Sequence, residues 1–182
     1  LNSNLYDKKI SKIDNKELIY KPSPYLLSSL INYQKKKNKI EDFSLDELWN
    51  NQNLTYKEFE KLNNFFWFFS LDLKSSKKTT QTVINNWINK NDHYNKKSWD
   101  FDITSKRIIS WISNHQLTYE DCEEEFKVKF NQSIQKQTNH LLNEIKNSDE
   151  VENKMIGCAA IILVGLAYQE NRNYLSSGLN LL

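Results

Sequence analysis

The sequence is poor in the residues that bend, cross-link and punctuate a chain. Its 182 residues hold three glycines, two prolines and two cysteines. Phosphate-cradling loops and many-turned β-sandwiches use more glycine than this, so those architectures are disfavoured from the outset. The two cysteines, Cys122 and Cys158, cannot make a disulfide framework and read as small free thiols in helices. No Cys/His spacing matches a zinc site, and no metal or cofactor is expected. An excess of one charge is also lacking. Lys+Arg is 25 and Asp+Glu is 23, a net of +2. A dedicated nucleic-acid binder is normally far more basic, so no nucleic-acid partner is expected. Arginine is nearly absent, with Arg107 and Arg172 the only two. The longest apolar run, MIGCAAIILVGLAY from Met155 to Tyr168, has 14 residues. A membrane-spanning helix needs roughly 20, so the run reads as a buried core helix and no membrane span is expected.

What the chain does have is aromatic and helical patterning. Aromatics reach 13% and the apolar fraction is 38%, enough to build a core. Residues 1–44 read as irregular, with Pro22 and Pro24 in KPSPYLLSSL and a short basic run at Lys35–Lys39. From residue 45 the pattern turns helical. Ser44 with Glu47, and Thr55 with Glu58, are capping-box pairs. A helix is expected from Thr55 through LNNFFWFFSLDL. Another opens at Ser75 or Ser76, with Val83, Ile84, Trp87 and Ile88 as its stripe. A polar linker carries Trp99, and ITSKRIISWISNH follows as a helix. Thr118 is expected to cap a long segment in which Phe126, Phe130, Ile134, Gln137, Leu141 and Ile145 share a face. Its first turns are acidic, which suits the positive end of a helix dipole. Asp149 and Asn173 are expected to open the last two helices. The sum is an all-α domain of successive antiparallel helix pairs, the unit of helical toroids and solenoids.

Three ordered stretches carry a family resemblance. LNNFFWFFSLDL (62–73) resembles the aromatic first toroid helix of the heparinase II/III polysaccharide lyases. INNWINKN and KSWDFDITSKRIISWISN (84–114) resemble that family's helix ending in WI, its Trp-bearing loop, and its helix with Arg before apolar residues and Trp. QTNHLLNEIKNS and KMIGCAAIILVGLAY (137–168) resemble its Asn-His pair followed by a small-residue helix. The resemblance implies that 45–182 form part of an incomplete (α/α) toroid. The remainder of the toroid and a β-sandwich would lie beyond this chain, and both ends read as cut. It also implies a periplasmic or secreted protein acting on an acidic polysaccharide. Oligomeric state cannot be read from the sequence.

Such lyases break a uronic-acid polymer by β-elimination. A base takes the C5 proton, and donors aimed at the neighbouring carboxylate stabilise the enolate-like intermediate. The resemblance places that work on Asn139 and His140. An amide offers two donors to a carboxylate, and an imidazole can donate or exchange protons near neutrality. Adjacent helical residues point about 100° apart, so a helix end, kink or rim is expected near Thr138–Leu141. Trp99 and Trp111 are candidate sugar platforms and Arg107 a candidate carboxylate contact, since guanidinium forks suit carboxylates. The resemblance further implies a catalytic Tyr and a sandwich His outside this chain, so 1–182 alone is expected to be inactive. A non-catalytic helical glycan-binding or scaffolding module is the alternative reading.

Overall fold

A computed structural model describes residues 3–13, 16–19, 49, 53–71, 77–148, 150–168 and 172–181. Its helices are α1 (Ser3–Ile10), α2 (Tyr56–Asn63), α3 (Lys77–Asn91), α4 (Phe101–Ser113), α5 (His115–Thr118), α6 (Glu124–Glu144), α7 (Val151–Ala167) and α8 (Arg172–Asn180). Two 3₁₀ segments, Phe66–Ser70 and Ile145–Asn147, are also present, Trp49 is helical, and no strand occurs among the described residues. The expected all-α class is what the structure shows. The expected Ser44 cap, both prolines, the basic run, and the helix starts at Ser75 or Ser76 and Asp149 lie outside the described residues.

The capping box at Thr55 forms as expected. Thr55 Oγ1 accepts from the Glu58 amide, and the Glu58 carboxylate accepts from the Thr55 amide at 2.9 Å. The helix does not run on to residue 73, however. It stops at Asn63, and Phe65 takes a left-handed backbone conformation with φ 58°. Asn64 Oδ1 accepts from the Phe66 amide at 2.9 Å and fixes the turn. A left-handed conformation costs a residue with a Cβ about 1–2 kcal/mol. The turn drives the Phe65 ring into complete burial among Trp67, Phe68, Trp87 and Trp111, which more than offsets that strain.

Helix α4 is the central element, buried along nearly its whole length. It begins two residues before the expected start because Asp100 caps it, accepting from the amides of Asp102 and Ile103. It packs against α6, α7 and the 3₁₀ segment Phe66–Ser70. Thr118 does not start the next long helix. Its hydroxyl donates to the carbonyls of Trp111 and Asn114, closing α5, and α6 begins at Glu124. From there the expected face, Phe126 through Ile145, is buried throughout. The acidic first turn stays in solvent, with Glu125 paired to Lys129.

Glycine scarcity acquires a meaning in α7 and α8. A Cβ on Gly165 would lie 2.5 Å from the Leu175 amide nitrogen, and one on Gly178 would lie 2.6 Å from Ile162 Cγ1. These two positions let the two helices touch backbone to backbone. The remaining glycine, Gly157, faces the Phe101 ring of α4.

Residues 1–44 were expected to be irregular, but α1 lies among them. Tyr6 and Ile10, four residues apart, form its buried face. They join Trp99 and Tyr94 in a small cluster separate from the main core. Two such apolar positions are too few for periodicity to reveal.

Candidate functional site

Helix α6 runs without interruption through Thr138–Leu141, so the expected kink or rim is not found there. Asn139 and His140 instead diverge around one turn, and both are met by α1 and the segment behind it. The Asn139 amide nitrogen donates to two backbone carbonyls, Ile10 at 2.9 Å and Lys12 at 2.8 Å. Its oxygen accepts from the Tyr174 hydroxyl of α8 at 2.8 Å. The two carbonyls, which can only accept, fix which way the amide faces. The side chain therefore presents a fork of two N–H donors toward a pair of oxygens.

His140 is 2% exposed. Nε2 lies 2.6 Å from the Trp99 carbonyl oxygen, which can only accept, so Nε2 carries the proton. Nδ1 then accepts from the Tyr6 hydroxyl at 2.8 Å. Burial pushes the imidazole pKa down to about 4, against the opposing pull of the Trp99 carbonyl and the Glu144 charge. The ring is thus neutral near pH 7. Tyr6 is shifted the other way. Burial, together with the nearby Glu144 carboxylate, raises its pKa, so it remains a donor and makes a poor base.

One turn earlier on α6, Lys136 pairs with Asp7 at 3.1 Å and donates to the Asp92 carbonyl. Asp7 also accepts from the Tyr94 amide at 2.7 Å and lies 3.2 Å from His93. Burial pushes the Asp7 carboxyl upward, but the Tyr94 amide, Lys136 and His93 outweigh it and hold the pKa below the usual carboxylate value. Beside these groups opens a cavity of about 350 Å³, lined among others by Asp7, Ser11, Trp99, Gln132, Ser133 and Lys136. Among the described residues, no cluster of three His, Cys, Asp or Glu side chains could hold a metal ion.

The other sequence candidates are placed differently from expectation. Trp99, expected in a polar loop, is 2% exposed, with its ring in the α1 cluster and its Nε1 donating to the Asn91 carbonyl. Trp111 is fully buried in the main core against Phe65, Trp87 and Phe130. Arg107 is fully buried too. Nε donates to Gln137 Oε1 at 2.7 Å, Nη1 to the carbonyls of Asn63 and Ser98, and Nη2 to Thr104 Oγ1. Its guanidinium lies 4.0 Å from the centre of the Trp87 ring. Trp111 and Arg107 therefore cannot touch a ligand in this arrangement. Both sit on the inner side of α4, the face that the Ile108–Ile112 stripe sends into the core.

Sequence reasoning missed Tyr6, Asp7, Lys136 and Tyr174. Lys136 was legible only as one charge among many on a long helix. Tyr6 and Asp7 approach α6 from more than 120 positions away, a pairing that only the fold creates.

The fold is all-α and gathers these polar and aromatic groups beside α6, the longest described helix. Compared with known proteins, the chain matches no family model, no curated protein and no solved structure.

Proposed function

We propose that the chain supplies the carboxylate-binding side of a polysaccharide lyase of the heparinase II/III kind, as part of an incomplete (α/α) toroid acting on a uronic-acid polymer. The observation that carries this reading is the Asn139 amide, whose N–H groups grip a pair of oxygens, here the Ile10 and Lys12 carbonyls, while its own oxygen accepts from Tyr174. A uronate carboxylate offers a matching pair. With the carboxylate so held, a base outside residues 1–182 takes the C5 proton, and the charge left behind flows into the gripped oxygens. The C4–O bond then breaks, and the departing oxygen takes a proton from an acid that also lies outside those residues. Lys136 and Trp99, within the same neighbourhood, supply a cation and a flat ring for an acidic sugar. His140, neutral and bonded through both nitrogens, holds the Trp99 loop in place. Arg107 and Trp111 belong to the scaffold beneath.

The alternative, a glycan-binding module without chemistry, draws on the same donors and on the engagement of both imidazole nitrogens. Two measurements separate the readings. Titration calorimetry with glucuronate- or mannuronate-containing tetrasaccharides should show binding that Asn139→Ala weakens at least about tenfold, the worth of a lost charge-assisted contact. In the complete gene product, turnover should generate unsaturated uronate, detected by near-ultraviolet absorbance, and the same substitution should suppress it. Binding without any new absorbance favours the module. Uronate affinity untouched by Asn139→Ala removes the site assignment.

A further inference from the structure

Helix α1 stands where a ligand would have to be. The two oxygens on the Asn139 fork are the Ile10 and Lys12 carbonyls at the end of that helix. Tyr6 takes the free nitrogen of His140, and Asp7 takes Lys136. Together these contacts occupy the amide donors, the imidazole acceptor and the ammonium of the α6 site. The apolar anchorage is slight: Tyr6 and Ile10 bury themselves on Trp99 and Tyr94, in a cluster that does not merge with the main core. Most of the other α1 residues face solvent, Leu5 at 66% exposure among them. The next fixed point of the chain is different in kind. Leu18 is buried in the main core, and the Ile19 amide donates to the Ala167 carbonyl at 2.7 Å. Release of 3–13 would therefore leave the main core in place while freeing the Asn139 amide and His140 Nδ1.

We propose that α1 is a releasable strap that mimics the sugar carboxylate, its Ile10 and Lys12 carbonyls filling the Asn139 fork until an acidic saccharide displaces it. The inference rests on the site reading above. When the strap leaves, the Trp99 and Tyr94 rings open beside Asn139 and Lys136. An acidic pyranose can then stack on an aromatic face with its carboxylate on the amide and the ammonium. The Asp7 carboxylate, which would otherwise repel an anionic sugar from Lys136, leaves with the strap, while the Asp92 carboxylate, 3.9 Å from that ammonium, stays. The site selects an anion that can outcompete two neutral carbonyls and one carboxylate.

The test loosens the strap while leaving Asn139, His140 and Lys136 as they are. Tyr6→Phe removes the bond to His140, and Asp7→Asn removes the carboxylate charge that pairs with Lys136. Hydrogen exchange over residues 3–10 reports whether the strap has been freed, and melting curves report whether the core is intact. Calorimetry with a glucuronate-containing tetrasaccharide reports affinity. The expected result is faster exchange in 3–10 and about tenfold tighter binding in the double variant, since apparent affinity scales with the open fraction. Asn139→Ala should abolish binding in both backgrounds. A freed strap with affinity unchanged overturns the strap and leaves the site reading standing. A freed strap with no uronate binding in any variant overturns the site reading, and the strap with it. If the double variant unfolds, Tyr6→Phe alone carries the same comparison. If neither substitution speeds exchange in 3–10, α1 is an integral part of the fold and the proposal is wrong.

Discussion

Arg107 shows how much one residue can hold while staying out of reach of any ligand. Its guanidinium ties the end of α2, the loop before α4, α4 itself and α6 through four hydrogen bonds. No carboxylate pairs with it among the described residues. Burial works against its charge and lowers its pKa well below the ordinary arginine value, and the four oxygens and the Trp87 ring oppose that cost. Lysine cannot take its place, because an ammonium has three donors in a tetrahedral array and no plane to lay on the indole. Arg107→Lys should therefore lower stability by about 3 kcal/mol, in the range found when one partner of a buried charged network is broken. Urea denaturation checks it. A loss below about 1 kcal/mol, the scale of a surface ion pair, would show that the network does not hold the fold.

At the scale of elements, α7 and α8 make the sharpest claim. Gly165 to Ala puts a methyl group 2.5 Å from the Leu175 nitrogen and 2.7 Å from its Cα, both backbone atoms that cannot swing aside. Alanine normally favours a helix over glycine by about 1 kcal/mol. Here the sign should reverse, with a net loss of about 1–3 kcal/mol from forced separation of the helices. Thermal melting of Gly165→Ala against wild type decides it, and a raised Tm would mean that the helices are less tightly apposed. The elements also show what the sequence could disclose. The Thr55–Glu58 box, the α3 stripe and the buried face of α6 were all legible, because each is a local pattern of spacing or capping. The stop at Asn63 was not, since LNNFFWFFSLDL keeps an apolar helical rhythm across the break. There a pair of asparagines and the pull of a tertiary aromatic cluster outweigh local periodicity. Trp99 was misread for a related reason: its polar neighbours suggested exposure, whereas its burial depends on α1, a helix too short and too polar to announce itself. Asn139 and His140 were singled out through motif order alone, and nothing in their spacing indicated that α1 would cover them.

For the whole molecule, the buried His140 that bonds Tyr6 of α1 predicts a response to acid. The ordinary imidazole pKa is 6.5, and in the folded protein it is about 4. A depressed folded value means that the unfolded or opened chain binds the proton first. Stability is therefore fully present above pH 6.5 and falls as the pH drops from 6.5 toward 4. Below that the loss levels off, at on the order of 3 kcal/mol. Asp7 acts in a lower window, because its carboxyl sits below 3.8 and its ion pairs persist until the pH falls through that depressed value. Glu144, Asp100, Tyr6, Tyr94 and Arg107 also surround the imidazole. The carboxylates favour its protonation and Arg107 opposes it, but burial outweighs them all. The cheapest way to relieve a protonated His140 is to lift α1, which returns Nδ1 to water without disturbing Phe65, Trp87 or Trp111. Hydrogen exchange corrected for its intrinsic pH dependence should therefore show protection of residues 3–10 collapsing between pH 6.5 and 4, while α4 keeps its protection. His140→Gln, which has no proton to gain in that range, should flatten the response. If α1 and α4 lose protection together, the proton is admitted by cooperative unfolding, and α1 is bound into the core more firmly than its small cluster implies.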